Sequence, residues 1–333
     1  MGVRSGALGN VAIGDYEADW AGRTVLITGA AGLLARAVAR ELPASAKLVG
    51  LDVAWERAPT TGLVGVQRVN GDVRETSRIR QLLNDLRVDT VLHLAAQTLV
   101  GPAIVDPVET FSSNIEGTWS VLEACRTSGT VRAIVVASSD KAYGDWSGRP
   151  YREDMALRGR HPYDVSKAAT DLLAQSYAAT YGLPLAITRC GNLYGGGDLN
   201  WSRIVPGTIR SVLRGERPVI RSDGTPIRDY LHVSDAARGV VQLTEALGTR
   251  EEVRGEAFNF AAGVRLSTID LVRRVLELMD STFEPNVLAQ DLKEIPEQRL
   301  STARAKRVLG WQPSVSLDDG LREAIAWYRS YLG

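Results

Sequence analysis

The chain reads as an α/β protein, a doubly wound parallel sheet followed by a smaller α/β domain. Three observations predict this. Short, near-continuous apolar runs alternate with segments of helical periodicity through the first half of the 333 residues, as strands buried on both faces of a parallel sheet do. A glycine-rich turn, Thr28-Gly29-Ala-Ala-Gly32-Leu33-Leu34-Ala35, joins the first apolar run to the first helical segment. After Asn192 the alternation loosens and the chain becomes richer in Pro and Arg.

The elements follow in order. Thr24–Thr28 is the first strand and a helix runs from about Gly32 to Leu42. Lys47–Leu51, Thr90–Leu94 and Ala133–Ala137 repeat the buried-strand type, and Pro107–Ser128 between the last two carries Leu and Val at helical spacing. Leu185–Thr188 is a further strand, Gly195-Gly196-Gly197 opens a loop, and Thr268–Met279 and Leu317–Tyr331 are helices. The expected organisation is an N-terminal extension over residues 1–21 and a dinucleotide-binding domain over 22–192, to which 228–260 return. Residues 193–227 and 261–333 form the substrate domain. The opening residues hold Asp15, Glu17 and Asp19 after a weak, Gly-broken apolar stretch, unlike the apolar core of a signal peptide.

Composition narrows the function. The 39 Lys+Arg balance 39 Asp+Glu, without the basic excess of a nucleic-acid binder. Cys125 and Cys190 are the only cysteines, which excludes a disulfide framework and fits the cytoplasm. His93, His161 and His232 lie far apart, so no metal is expected. No apolar run reaches the roughly 18 residues that would span a bilayer, so no membrane association is expected.

Gly29 and Gly32 permit a tight turn and close approach of a pyrophosphate, and the helix N-terminus supplies N–H groups and positive dipole. Such a turn alone is compatible with an ordinary strand–turn–helix. Asp52, at the end of the next strand, is what makes it a Rossmann-type NAD site, because a carboxylate there accepts from a ribose 2′-hydroxyl and repels a 2′-phosphate. Arg57 nearby keeps NADP open.

Tyr163 and Lys167 are four apart and share a helix face. An ammonium beside a phenol lowers its pKa and makes it a base for a sugar hydroxyl. Ser139 sits at the carboxyl end of a strand, where open α/β sheets bind ligands.

With these residues in place, the chain resembles the extended short-chain dehydrogenase/reductases that act on nucleotide sugars, over residues 24 to about 331. The resemblance rests on the glycine loop, Gly71-Asp72-Val73, His93-Leu94-Ala95-Ala96, Ser138-Ser139, Tyr163 and Lys167, Arg189-Cys-Gly-Asn192-Leu-Tyr-Gly195, Arg228-Asp229-Tyr230 and Leu309-Gly310-Trp311-Gln-Pro313. It implies that Gly29, Gly32, Leu33, Leu34, Asp52, Asp72, Val73, Leu94, Ala95, Ala96 and Asn114 hold NAD together with Tyr163 and Lys167. It implies a Ser139, Tyr163, Lys167 catalytic triad. Gln97, Ser138, Asn192, Arg228 and Arg299 fall on the substrate side, and the helices near 107–127 and 164–181 on a homodimer interface. For Asp72 a turn or helix-capping role is the competing reading. Arg203 and Arg221 join the substrate side because guanidinium forks suit a diphosphate.

The informative departure is Asp140-Lys141. Epimerases of this family usually carry small or hydroxyl residues there, whereas CDP-glucose 4,6-dehydratases are similar to this chain in having Asp-Lys. The expected reaction converts an NDP-hexose to an NDP-4-keto-6-deoxyhexose by oxidation at C4, loss of water across C5 and C6, and hydride return to C6. A carboxylic acid and an amine beside the phenol supply the extra acid and base. The alternatives are an epimerase in which this pair only binds substrate, and a non-catalytic NAD-binding protein.

Overall fold

The computed structural model describes residues 20–59, 63, 65–146, 148–290 and 295–333. Of the extension expected over 1–21, residues 1–19 lie outside them, as do residues 291–294 and the Arg57 side chain. Trp20, which the sequence placed in the extension, is instead docked. It is buried, its indole N–H donates to Glu245 Oε1 at 2.9 Å, and the Arg23 guanidinium lies 4.7 Å above its ring.

The first half runs β1 (Thr24–Thr28), α1 (Leu33–Glu41), β2 (Lys47–Asp52), β3 (Val66–Asn70), α2 (Thr76–Asp85), β4 (Thr90–His93), α3 (Val100–Val105), α4 (Pro107–Phe111), α5 (Gly117–Ser128), β5 (Ala133–Ala137), α6 (Pro162–Tyr181) and β6 (Leu185–Cys190). The expected helix over 107–128 is α4 and α5 joined by a π-helical turn, Ser112–Glu116. β3 was not foreseen. Its sequence, Val-Gln-Arg-Val-Asn, is only partly buried, so it lacks the apolar run that marks its neighbours.

The second half runs β7 (Asn192–Tyr194), α7 (Ile204–Leu213), β8 (Val219–Ile220), β9 (Ile227–Arg228), β10 (Tyr230–His232), α8 (Val233–Thr249), β11 (Ala257–Phe260), β12 (Leu266–Ser267), α9 (Thr268–Leu278), β13 (Asn286–Val287) and α10 (Leu317–Leu332).

Seven strands form one parallel sheet in the order β11-β6-β5-β4-β1-β2-β3. Alternate residues of each strand face opposite sides, and the cores follow that rule. Val25 and Ile27 of β1 pack with Val38 of α1 and with Val240, Leu243 and Leu247 of α8. Leu26, between them, packs on the other face with Ile79 and Leu83 of α2 and Val121 and Leu122 of α5. Burying each such side chain stabilises the fold by about 1.5–3 kcal/mol. A third core joins α7, α9 and α10 through Ile209, Val275 and Ile325. Ala305 and Trp311 lie near that core in sequence, yet they join the sheet core, where Trp311 meets Phe260 edge-on at 4.9 Å.

The strand order reverses at β1, which opens a crevice between the carboxyl ends of β1 and β4. Gly29, Leu94 and Ser139 follow the carboxyl ends of sheet strands, and Asp52 is the last residue of one.

Candidate active site

The glycine turn is built for close approach. Gly29 has φ +68°, and a Cβ there would lie 2.7 Å from Ala95 Cα and 2.8 Å from its nitrogen. The loops after β1 and β4 therefore touch backbone to backbone. Gly29→Ala should lower NAD affinity at least tenfold, because left-handed strain adds to a clash that only backbone movement relieves. Titration of cofactor binding measures this, and wild-type affinity would show that the loops separate freely.

Asp52 ties the same loop to β2. Its carboxylate accepts the Ala31 N–H at 2.9 Å and the Ala54 N–H at 2.8 Å, leaving lone pairs for a ribose hydroxyl. The helices α4, α9 and α10 are capped by Asp106, Ser267 and Ser316, whereas α1 begins at Gly32 with no side-chain cap. Its dipole and first-turn N–H groups are thus left for an anion. Loop, carboxylate and helix end together fit a dinucleotide diphosphate and ribose.

Val73 is buried beneath Asp72 in sequence, and a Cβ on Gly117 of α5 would meet it at 2.7 Å. The Asp72 carboxylate is held by Arg74 through its backbone N–H at 2.9 Å and its guanidinium at 2.6 Å. That pairing holds Asp72 below the usual carboxylate range and gives the competing turn role a definite geometry. Leu33, Leu34, Leu94, Ala95 and Ala96 are half-buried around the loops. Asn114 lies on the π-helical turn, and its amide donates to Gln97 O and Ser166 Oγ, each at 2.9 Å, and accepts the Gln97 N–H at 2.7 Å. Asn114 therefore shapes the site through the backbone of Gln97. The Gln97 side chain folds back onto Leu99 O and Thr110 Oγ1 at 2.9 and 3.1 Å.

His93 bridges Thr28 Oγ1 at 2.9 Å and Thr118 Oγ1 at 3.1 Å. Burial, with the Lys167 charge behind it, pushes its pKa down to about 3. An unfolded imidazole titrates near 6.5, so the unfolded state binds the extra proton between those values. Stability is present above about pH 6.5 and is lost as pH falls toward 3, by up to about 5 kcal/mol. In denaturant titrations His93→Gln should flatten the pH slope of unfolding free energy in that window. An unchanged slope would put the acid sensitivity elsewhere.

The catalytic candidates converge where β5 meets α6. Ser139 caps a short turn, Asp140–Tyr143, by accepting the Lys141 N–H at 3.2 Å, and its hydroxyl donates to Asp140 Oδ1 at 3.1 Å. It also lies beside Tyr163, whose pKa it lowers, so Tyr163, Ser139 and Asp140 are neighbours. Ser138 Oγ donates to Lys167 O at 3.2 Å, and Lys167 Nζ donates to Ala137 O at 2.9 Å.

The electrostatics differ from expectation in one respect. Burial pushes Tyr163 up to about 12. The Ser139 hydroxyl and the Arg203 charge pull it down, whereas the Asp140 and Asp164 charges push it up. The Lys167 amine is turned to the β5 carbonyl and is lowered by burial to about 8. Asp140 is 3% exposed, and burial raises its pKa against the pull of Lys141, Ser139 and Arg228.

Sequence reasoning missed two residues. Asp164 follows Tyr163 in the first turn of α6, is buried, and is raised by burial while facing Lys141 and Asp140. Gln298 accepts from Lys141 Nζ. The Tyr-Asp dipeptide was a usable signal for the first. A lone glutamine far down the chain is no signal for the second.

On the substrate side, Arg228 is buried, donates to Ile227 O and Ile295 O at 2.9 and 2.7 Å, and acts on Asp140. Arg203, at the start of α7, pairs with Asp198 at 2.9 Å and reaches Thr98 Oγ1 at 2.8 Å. Asn192 is fixed by its backbone N–H to Asp229 O at 2.9 Å, which leaves its half-buried amide open. Arg299 pairs with Glu297 at 2.8 Å, and Arg221 is exposed with no ion pair to a described site residue. Both cysteines are buried free thiols whose pKa is raised by burial. No cluster of metal ligands occurs among the described residues, and no helix among them is long and apolar enough to cross a membrane.

Comparisons with known proteins agree with this geometry. The chain is 31% identical to a dTDP-glucose 4,6-dehydratase of Streptomyces griseus over 319 residues, 92% of this chain and 94% of that one. It is 28% identical to a CDP-glucose 4,6-dehydratase of Salmonella typhimurium over 342 residues, 94% of this chain and 92% of that one. The structure of a dTDP-glucose 4,6-dehydratase from Streptomyces venezuelae with NAD and TYD bound superposes with a TM-score of 0.82 at 27% identity, covering 92% of this chain and 97% of that one. Whole-chain identity thus does not single out the CDP type, and that expectation rests on local motifs, Asp140-Lys141 first, with His93–Gln97 and Gly195–Asp198 beside it. A family model covers residues 25–261, and the chain belongs to the NAD dependent epimerase/dehydratase family.

Proposed function

We infer that the chain is an NAD-dependent nucleotide-sugar 4,6-dehydratase that converts an NDP-glucose to the NDP-4-keto-6-deoxy sugar. Family membership covers epimerases as well, so the site carries the reading. The supporting observation is the Ser139-Asp140-Lys141 run against Tyr163, with Ser139 and Asp140 buried and Lys141 half-buried, which adds two proton-transfer groups to those that sugar oxidation requires.

Tyr163, beside Ser139, takes the proton of the 4-hydroxyl. The Gly29 turn, the α1 N-terminus and Asp52 would hold NAD, which would supply the hydride chemistry at C4 and C6. Lys141, as the free amine, removes the C5 proton made acidic by the 4-ketone and gives it back to C5 as hydride reaches C6. Asp140, whose carboxyl burial pushes toward the neutral form, gives a proton to the C6 hydroxyl, which leaves as water. Arg203 and Arg228 bind the diphosphate side of the substrate, with Asn192 between them. The nucleotide domain comprises 22–192 with 228–260, and the substrate domain 193–227 with 261–333. α8 and β11 support that return, since they cover and extend the sheet.

The test is mass spectrometry of the purified protein with NAD and CDP-, dTDP-, UDP- and GDP-glucose, CDP-glucose being the substrate suggested by Asp140-Lys141. A product lighter by one water supports the reading and names the base. Isomerisation at unchanged mass would make the chain an epimerase and leave Asp140 and Lys141 as binding residues.

The protein acts as a cytoplasmic homodimer in this reading. Val108, Trp119 and Leu172 are 74%, 44% and 55% exposed on α4, α5 and α6, the helices expected at the interface, and apolar residues grouped in this way favour a protein contact. Two buried free thiols suit a reducing compartment. Leu172→Glu should halve the mass seen by light scattering without lowering the melting temperature. A wild-type monomer would overturn the dimer.

A further inference from the structure

The substrate-domain segment after Ile295 is clamped between two distant parts of the chain. Ile227 N–H donates to Pro296 O at 2.8 Å and Gln298 N–H to Ile227 O at 3.0 Å. One strand step on, Tyr151 N–H donates to Arg299 O at 2.8 Å and Ser301 N–H to Tyr151 O at 2.9 Å. The backbone is thus held from both sides, and successive side chains point to opposite faces. Glu297 and Arg299 pair with each other on one face, where Glu297 also takes Arg265 at 2.8 Å. Gln298 takes the other face and is completely buried.

There its Oε1 accepts from Lys141 Nζ. Its Nε2 is buried with no hydrogen-bond partner among the described residues. An amide N–H in that state is destabilising until an acceptor arrives. The two ends of one amide are little more than 2 Å apart by covalent geometry, so an acceptor that satisfies Nε2 lies beside the lysine nitrogen. Asp140 and Asp164 flank the same amine. Of Gln298, Asp140 and Asp164, Gln298 alone cannot carry charge or donate from the atom it presents.

We propose that Gln298 is the positioning residue for Lys141, holding the amine by one N–H while its own Nε2 donates to a sugar oxygen of the bound substrate. An amide oxygen only accepts, so it fixes the amine without occupying its lone pair, which stays directed at the C5 proton. Being neutral, it does not favour the ammonium as a third carboxylate would. This rests on the dehydratase reading, in which Lys141 is the C5 base.

Two variants test it in the full-length protein with NAD and the nucleotide sugar it dehydrates. Gln298→Glu preserves shape and adds negative charge, so the ascending, acid-side limb of the pH profile for water loss, on which Lys141 loses its proton, should move up by about one unit. Gln298→Leu removes the acceptor, so kcat for water loss should fall about tenfold or more with KM changed less than about threefold. In a single turnover, reduced cofactor should then accumulate, because oxidation at C4 precedes the slowed step. A Gln298→Glu profile superimposable on wild type would overturn the proposal. So would a Gln298→Leu defect that slows cofactor reduction and water loss equally, or that appears with a lowered melting temperature and is not rescued by Gln298→Asn. A wild-type protein that removes no water from any donor would instead overturn the dehydratase reading.

Discussion

Tyr163→Phe should lower kcat by about three orders of magnitude while leaving the melting temperature almost unchanged. The substitution removes one oxygen from a side chain that is 8% exposed at the start of α6. The structural loss is the contact of the hydroxyl with Ser139, at most about 1 kcal/mol, partly offset because no hydroxyl is then buried. The catalytic loss is larger, since a positioned base contributes about a hundred- to ten-thousandfold. Its pKa of about 12 leaves the phenol protonated at neutral pH, so the phenolate fraction grows tenfold per pH unit. Wild-type kcat/KM should therefore rise with pH, and the residual activity of the variant should lack that limb. Steady-state rates across pH measure both features. Activity within tenfold of wild type would remove Tyr163 from the proton transfer.

Asp171→Ala should destabilise the fold by about 3–5 kcal/mol, because breaking a buried ion pair leaves a desolvated charge without compensation. Asp171 accepts two guanidinium N–H groups of Arg189 at 2.7 and 2.8 Å, with both side chains almost inaccessible. Arg189 also donates to the Tyr143 hydroxyl at 2.8 Å, and that hydroxyl donates to Asn259 Oδ1 at 2.8 Å. One pair therefore ties α6, β6, β11 and the turn that carries Asp140 and Lys141. Asp171 is also the group that most holds up the Lys167 pKa against burial, so its loss should move the Lys167 titration below about 8. Denaturant unfolding reads the first effect and the alkaline limb of the rate profile the second. The double replacement Asp171→Ala, Arg189→Met should recover much of the stability, since it leaves no orphan charge. If it recovers nothing, packing rather than charge accounts for the loss.

Much of the fold was legible because buried parallel strands declare themselves as apolar runs. β1 and β5 have the predicted bounds, and α1, α9 and α10 lie within one or two residues of them. β3 escaped because an edge strand needs only a partial apolar face. The glycine loop, Asp52 and the Ser139, Tyr163, Lys167 set were legible because spacing on one helix or strand end fixes proximity. Gln298 was not, because its approach to Lys141 depends on a strand clamped by residues far away in sequence. The direction of the Tyr163 shift was also hidden. Sequence records that a lysine is near, whereas the degree of burial and the atom that receives the amine are tertiary facts.

The return of α8 and β11 to the sheet has a consequence for biosynthesis. While a ribosome has released only the residues through β6, Val25, Ile27 and Val38 have no α8 to cover them, and β6 is an unprotected edge. The first domain is thus incomplete until Phe260 has emerged, so a nascent chain of some two hundred residues presents apolar surface and an open strand to chaperones or to its own neighbours. Synthesis that stalls within α7 should leave an aggregation-prone fragment rather than a small NAD-binding protein.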